Sequence, residues 1–406
     1  MNKVTQKGSK PVILTINGGS SSIKFSLFED NRGLRNIFSG EISRIGLPDV
    51  EFSFSLLGQT TSKNQTIDAA DYAAAIKFLV TYLDDHKGEH EIAAIGHRIV
   101  HGMRHTQPAL ITDDLLKDLK ATIPYDPDHL PNEIKLVETL QGHYPEVPQY
   151  ACFDTAFHAD MPAVAKQLPI PRRFMQQGIR RYGFHGLSYA YLMQEIEKKH
   201  GKTAAKGRIV IAHLGNGASL AAVYKGKSID TSMGFTPAGG IPMSSRSGDL
   251  DPGVAWMMMK EENLSPTQFN HLINHESGLL GIAETGSDMG DLLKLQKTDE
   301  RAAEAVELFC YQVKKWIGSF AAALGGLDML VFSGGIGENS PEIRARICKG
   351  LGFLGINISV TNNRTNARLI SQKKGKVVVR VMHTDEERMI AKIVYEKSRI
   401  SNSPNT

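Results

Sequence analysis

Three stretches of this 406-residue sequence set glycines and small polar residues directly behind an apolar run: "NGGSSS" at 17–22 after "VILTI", "LGNGA" at 214–218 after "IVIAH", and "SGGIGEN" at 333–339 after "MLVF". Glycine lets backbone N–H groups approach an anion closely, and a helix N-terminus behind such a loop adds a favourable dipole. Each loop is a candidate phosphate cradle, and each taken singly is also an ordinary turn of residues that tolerate positive φ. GxxxxGK[ST] does not occur and no GxGxxG follows a strand, so a nucleotide would be held in another way.

The charged residues add a second layer. Arg98 sits inside the apolar run "AAIGHRIVHG" at 93–102, where a guanidinium without an anion would be costly to bury and where its fork suits a carboxylate or phosphate. Arg246, in a Ser-Gly-rich loop, reads equally as a surface ion pair. Asp154 follows the buried run of "YACFD", and the carboxyl ends of strands are where α/β sheets present ligands. Lys24 faces away from Ile23 and Phe25, either toward a ligand or toward solvent. His185, among the aromatics of "YGFHG", reads first as a packed core histidine. His97 and His101 are four residues apart, but in a strand-like run without the glutamate of HExxH, which argues against zinc. "TDEE" at 384–387 reads as a capping box, Thr384 as N-cap and Glu387 at N3, heading the helix of Met389, Ile390, Ile393 and Val394.

The elements that must position these residues alternate strand and helix. Strands are expected at 12–16, 23–28, 209–213 and 328–333, in "IAAIGHRIV" and in "PQYACFDTAF". Helices are expected at 71–84, 187–200 and 301–324, the last with Val306, Cys310, Val313, Ile317, Phe320 and Leu324 on one face and Gly325-Gly326 as its stop. Ser340 and Pro341 mark a helix start fed by the third glycine loop. This alternation predicts α/β layers, and the repeated strand–loop–strand plan at 12–28 and 209–226 predicts two halves of one design. Composition puts the break near the proline-bearing stretch 161–171.

Bulk properties exclude several classes. Hydrophobic residues make up 41% and charged residues 22%, an ordinary globular balance. The net charge of +4 is scattered, so no nucleic-acid face is expected. Three well-separated cysteines, Cys152, Cys310 and Cys348, argue against a disulfide framework and for a reducing, cytoplasmic compartment. The N-terminal residues ahead of "PVILTI" read as a disordered tip, and no membrane span is expected because Gly325, Gly326 and Asp328 interrupt the most apolar stretch, 316–332.

Nine motifs, in order and spanning nearly the whole chain, carry a resemblance: "NGGSSSIKF" (17–25), "GHRIVHG" (96–102), "FDTAFH" (153–158), "RRYGFHG" (180–186), "AHLGNGASL" (212–220), "DTSMGFTP" (230–237), "SRSGDLDPG" (245–253), "HESGLLGI" (275–282) and "FSGGIGENS" (332–340). Together they resemble the acetate kinase family. The resemblance implies two related α/β domains of the actin, sugar-kinase and heat-shock ATPase superfamily (ribonuclease H-like), with the active site in an interdomain cleft. It implies residues 1–155 completed by 385–406 as one domain, and 156–384 as a nucleotide-binding domain. The activity implied is direct in-line transfer of the ATP γ-phosphoryl group to acetate, with propionate as the alternative acceptor.

Residue roles also follow from the resemblance. Asp154, Arg98, Arg246 and His185 would be catalytic, and Arg98, Val100, His129, Phe184 and Pro237 would bind the carboxylate. Ser20, Ser22, Lys24, His213, Leu214, Gly215, Asn216, Gly217, Asp288, Met289, Gly290, Gly335, Ile336, Gly337, Glu338 and Asn339 would contact ATP or ADP. Asn17 and Glu386 would hold Mg²⁺, or Mn²⁺ in its place, and a homodimer is implied. Two rivals keep the fold: an ATPase switch, and a polyphosphate hydrolase, for which no basic channel is visible. Four departures from the family pattern stand out: Gly290 where an arginine is usual, Asp128 where a leucine lines the acyl pocket, Ser245 for threonine, and Asp385 for asparagine.

Overall fold

A computed structural model describes residues 10–19, 21–56, 63–373 and 375–401. Residues 1–9, within the stretch expected to be a disordered tip, lie outside the described residues, as does Ser20. The chain divides into two compact units, residues 1–156 with 385–406, and residues 157–384. The division therefore precedes the stretch 161–171, which belongs wholly to the second unit.

The first unit is built on a sheet in the order β5-β4-β3-β2-β1-β6-β8-β7. Its strands are β1 (Lys10–Gly18), β2 (Ile23–Glu29), β3 (Asn36–Ser43), β4 (Glu51–Leu56), β5 (Lys63–Thr66), β6 (His90–Ile99), β7 (Ala109–Leu110) and β8 (Gln149–Phe153). β1, β2 and β3 pair antiparallel, whereas β6 and β8 continue the sheet parallel to β1. Val12 to Ile16 is buried on both faces, the pattern of a strand covered by helices on each side. On one side α1 (Tyr72–His86), capped by the Asp71 side chain on Ala74 N, packs Ala75, Ile76, Leu79 and Leu83 with Val12, Leu14, Ile16 and Phe25. Beside it runs α2 (Leu130–His143). On the other side lies α9 (Glu386–Ser401). A Cβ on Gly96 of β6 would lie 2.5 Å from Ile390 and 2.6 Å from Val394, so glycine there is what admits α9 to the sheet.

The second unit repeats the plan. Its sheet has the order β11-β10-β9-β12-β13, with β9 (Arg208–Leu214), β10 (Ala218–Tyr224) and β11 (Lys227–Thr231) antiparallel and β12 (Met329–Ser333) and β13 (Val378–Val381) parallel to β9. The expectation of two related α/β halves is met. Around it stand α3 (Gly186–Ala205), α4 (Pro252–Glu261), α5 (Met289–Leu295), α6 (Glu300–Ala323), α7 (Gly334–Asn339) and α8 (Pro341–Cys348). α6 buries Val306, Cys310, Val313, Ile317 and Phe320 as its periodicity predicts. It stops where Gly325 and Gly326 take φ of +68° and +132° and Gly326 N returns to Ala321 O.

Two expectations are corrected. The stretch 333–339 is a helical turn, α7, rather than a loop, and Ser340 then caps α8 through Ile343 N. The cap of α9 is Asp385, whose Oδ1 accepts from Arg388 N at 2.9 Å, not Thr384. The Thr384 hydroxyl is bonded to Ser188 instead. Asparagine caps a helix as aspartate does, so the departure at 385 preserves the geometry. Among the described residues no helix is long and apolar enough to cross a membrane.

Candidate active site

In the first unit the parallel strands β1, β6 and β8 end together, and the chemistry gathers there. Arg98, near the end of β6 and only 14% exposed, donates from Nε (2.9 Å) and Nη2 (2.6 Å) to Asp154 Oδ2 and from Nη1 to Gly18 O at 3.3 Å. Asp154, immediately after β8, is fully buried, and its Oδ1 has no hydrogen-bond partner among the described residues. Burial works against the charge on Arg98, but Asp154, Glu386 and Glu133 outweigh it and hold the guanidinium protonated. Packing gives Gly18 a reason of its own. Neither Gly18 nor Gly19 has positive φ, but a Cβ on Gly18 would lie 2.7 Å from Leu136 and 2.8 Å from Tyr72 OH.

Asn17 and Lys24 are opposite each other in the β1–β2 ladder. Asn17 Nδ2 donates to Glu386 Oε2 at 3.2 Å and to Glu387 Oε1 at 3.3 Å. Burial and the nearby Asp154 push the Glu386 carboxyl up to about 7, against the pull of Arg98. These oxygen donors and the orphaned Asp154 Oδ1 fit a hard divalent cation that takes part of its shell from water or phosphate, as Mg²⁺ does. Lys24 is half exposed, with Glu41 4.0 Å away. His129 precedes α2, and its Nδ1 lies 2.8 Å from Asp126 Oδ1. Asp126 thus engages His129, and Asp128 is half buried. Val100 is buried.

In the second unit the β9–β10 turn, α7 and the 243–246 loop come together. Gly215 and Gly335 are neighbours, since a Cβ on the former would lie in ordinary contact, 3.9 Å, with the latter's N. A Cβ on Gly217 would lie 3.2 Å from His185 Nε2 and 3.9 Å from Arg246 Nη1, which places both side chains at this turn. His185 takes φ +58° at the head of α3, a sparsely populated conformation for a non-glycine residue. Its Nδ1 is 2.8 Å from Ser219 Oγ, which also meets Tyr189 OH, while His213 stacks on it at 4.4 Å and pairs with Ser188. Ser244 N donates to Asn216 O, and Arg246 Nη1 donates to Pro237 O at 3.4 Å. Phe184 and Pro237 are buried. The Ser245 hydroxyl donates to Asn274 O, a bond that needs only a hydroxyl.

Several expected nucleotide residues do structural work. Asp288 caps α5 through Asp291 N, Met289 is buried, and Gly290 is exposed. Glu338 turns back on its own helix, accepting from Gly334 N at 3.0 Å and pairing with His383. Asn339 bonds Gly335 O. His97 and His101 are buried; His97 pairs with Gln149 and is pushed down to about 4 by burial, a core histidine kept neutral.

Sequence reasoning missed four supports. Glu133, in the first turn of α2, is buried; its Oε2 accepts from Val100 N at 3.0 Å, and its Oε1 lies 3.8 Å from Arg98 Nη1. Burial pushes its carboxyl up to about 8, against Arg98 and Val100 N and with Asp126 and Asp154 adding to the rise. His158 is buried between Ser228 and the Phe184 carbonyl and so fixes the approach to His185. Arg344, fully buried, donates to the Gly337 and Glu338 carbonyls at the end of α7. Gly278, at φ +62°, lets the 243–246 loop lie against it, since a Cβ there would fall 2.2 Å from Met243 O and 2.6 Å from Arg246 O. Only Gly278 and His158 carried a signal, as members of the quoted motifs.

The sequence matches the profile of the acetokinase family over residues 12–392. It is 43% identical over 392 residues to an acetate kinase of Thermoanaerobacterium thermosaccharolyticum, covering 94% of this chain and 97% of that protein. The fold is similar to the crystal structures of an acetate kinase of Porphyromonas gingivalis (TM-score 0.84, 35% identity) and a propionate kinase of Francisella tularensis (TM-score 0.88, 36% identity), each covering 95% of this chain and 99% of the other. With its two related sheets matched over nearly their whole length by these enzymes, the chain belongs to the acetokinase family of phosphotransferases.

Proposed function

We propose that this protein is an acetate kinase, transferring the γ-phosphoryl group of ATP in line to acetate to give acetyl phosphate and ADP, with propionate as the second acceptor. The observation that carries this reading is Arg98, nearly buried at the carboxyl end of β6 with one edge bound by Asp154. Asp154 fixes the guanidinium by its Nε–Nη2 edge, which leaves hydrogens on both terminal nitrogens for a carboxylate. The reaction brings two anions together and spreads charge over the phosphoryl oxygens, so the demands are positioning and cationic stabilisation. Arg246 and His185 Nε2, drawn to one turn at Gly217, supply cationic and hydrogen-bonding groups for the phosphoryl in flight. The glycine-bearing backbone of 214–217 and 335–339 takes the nucleotide. Asn17 and Glu386 would hold Mg²⁺, which when bound supplies positive charge to the phosphates. Val100, buried two residues after Arg98, would wall the acyl group. A single methylene changes binding by only about 1–3 kcal/mol, so propionate would be phosphorylated too.

Hydroxamate trapping with acetate, propionate and butyrate at saturating MgATP tests this directly. Acyl phosphate is expected from acetate and propionate; failure with all three would sink the reading and favour the ATPase or polyphosphate rivals. In the same assay Gly278→Ala, which forces a side chain against two backbone oxygens of the Arg246 loop, is expected to lower turnover by roughly a hundredfold, the scale of an ångström-sized misplacement. Turnover within twofold of wild type would dissociate that loop from the chemistry.

The cytoplasm is the proposed compartment, which three buried, unpaired thiols suit. A homodimer is proposed as well. α4 carries Val254, Trp256 and Met257 yet buries none of its residues within the chain, and apolar surface of that kind marks association. Trp256→Glu is expected to move the protein to monomer mass in size-exclusion chromatography with light scattering; an unchanged dimer would place the interface elsewhere.

A further inference from the structure

Glu133 stands between two groups assigned to the substrate carboxylate without itself reaching solvent. One oxygen accepts from the Val100 backbone at 3.0 Å, and the other lies 3.8 Å from Arg98 Nη1 with no hydrogen-bond partner among the described residues. Two further buried oxygens around the same guanidinium also lack partners among those residues, Asp154 Oδ1 and Tyr72 OH. Gly18 brings Tyr72 and Glu133 together, since a Cβ on it would lie 2.8 Å from Tyr72 OH and 3.9 Å from Glu133 Cγ. The charged and titratable groups facing Glu133 are Tyr72 from α1, Arg98 from β6, Asp154 after β8 and Asp126 ahead of α2. One buried cation thus faces two close acids, Asp154 and Glu133, and a substrate carboxylate would make a third. Asp154 is bound to Arg98 by two donors, whereas Glu133 lies beyond hydrogen-bond distance. Once ionised, Glu133 is therefore the acid within 4 Å of the guanidinium that no hydrogen bond from Arg98 ties down, and its removal leaves the guanidinium anchored by Asp154.

We propose that Glu133 is a positioning residue for carboxylate recognition: it ties down the Val100 backbone with one oxygen, and with the other competes with the incoming carboxylate for Arg98. It acts through Arg98 and Val100 and touches no substrate atom. The proposal rests on the reading of Arg98 as the carboxylate site, and the experiment separates the two. Hydroxamate trapping with wild type comes first, because failure to form any acyl phosphate overturns that reading and this proposal with it.

Glu133→Gln keeps an acceptor for Val100 N and removes the competing charge. Its KM for acetate is expected to fall about three- to tenfold at pH 9, above the value of about 8 to which burial pushes this carboxyl, the effect of up to one pKa unit's worth of interaction, while its KM for ATP stays within twofold of wild type. Glu133→Ala loses the Val100 anchor as well, so its KM for acetate is expected to rise. A buried acid with a merely structural role would instead shift both KM values together or neither. Wild-type activity with an unchanged acetate KM in Glu133→Gln, or with acetate and ATP KM values moving in parallel, overturns the proposal alone. Circular dichroism and thermal melts of Glu133→Gln keep the test readable if the alanine variant fails to fold.

Discussion

Arg98→Ala is expected to reduce acyl phosphate formation by roughly a thousandfold or more, the scale on which a phosphoryl-transfer arginine acts. The same change strips Asp154, fully buried, of its only described cationic partner at hydrogen-bond distance. Breaking a buried pair from one side costs about 3–5 kcal/mol, so the urea midpoint should fall along with activity. The two effects separate in Arg98→Lys. Lysine restores a cation beside Asp154 but offers no fork to bind the aspartate and a carboxylate together. Stability should recover in large part while turnover stays depressed by at least a hundredfold. A lysine variant that regains both would reduce Arg98 to a counter-ion, and an alanine variant within tenfold of wild-type activity would remove it from the chemistry.

The second large effect is on stability and runs with pH. Glu133 has its carboxyl pushed up to about 8 by burial, from an ordinary value of 4.5. Between those two values the folded protein keeps a proton that the unfolded chain has lost. Stability therefore falls as pH rises through that window, by about 1.4 kcal/mol per unit for this one group, and levels off above about 8. Glu386, pushed up to about 7, contributes in the same direction over a narrower range. Glu133→Gln has no proton to lose at this position. Its urea-unfolding free energy should gain on wild type steadily from pH 5 to pH 8, by at most about 4–5 kcal/mol. The remaining slope belongs to Glu386 and other groups. Parallel curves for the two proteins across that range would show that Glu133 is ionised in the folded state throughout.

The halves of the fold were legible because apolar runs such as "PVILTI" and "RIVIAH" admit little but buried strands, and because Gly325-Gly326 and Ser340-Pro341 are local signals with local causes. Arg98 and Asp154 were legible for a related reason: a charge inside or just behind an apolar run has few places to go. Glu133 shows where such reasoning stops. In "LPNEIKL" it is an acid in the first turn of a helix, favourable there on dipole grounds alone, and only tertiary packing turns it toward Val100 and Arg98. Gly18 has a further cause that the sequence does not show. Besides serving the turn, it makes room for Tyr72 and Leu136, residues far away in sequence. The stretch 333–339 reads as a loop in the sequence, yet Glu338 and Arg344 hold both ends of a helical turn there.

The placement of α9 has a consequence for how the protein is made. Residues 1–156 leave the ribosome without the helix that covers one face of β1 and β6, and Gly96 waits for Ile390 and Val394. The whole of residues 157–384 must be synthesised before that helix exists. The second unit, contiguous in sequence, can close while translation continues, whereas the first is left with an uncovered apolar sheet face for the longest part of synthesis, the condition in which chains aggregate or recruit chaperones. Glu386 arrives on that same late helix, so the first unit gains its last candidate site residue in the step that seals its core.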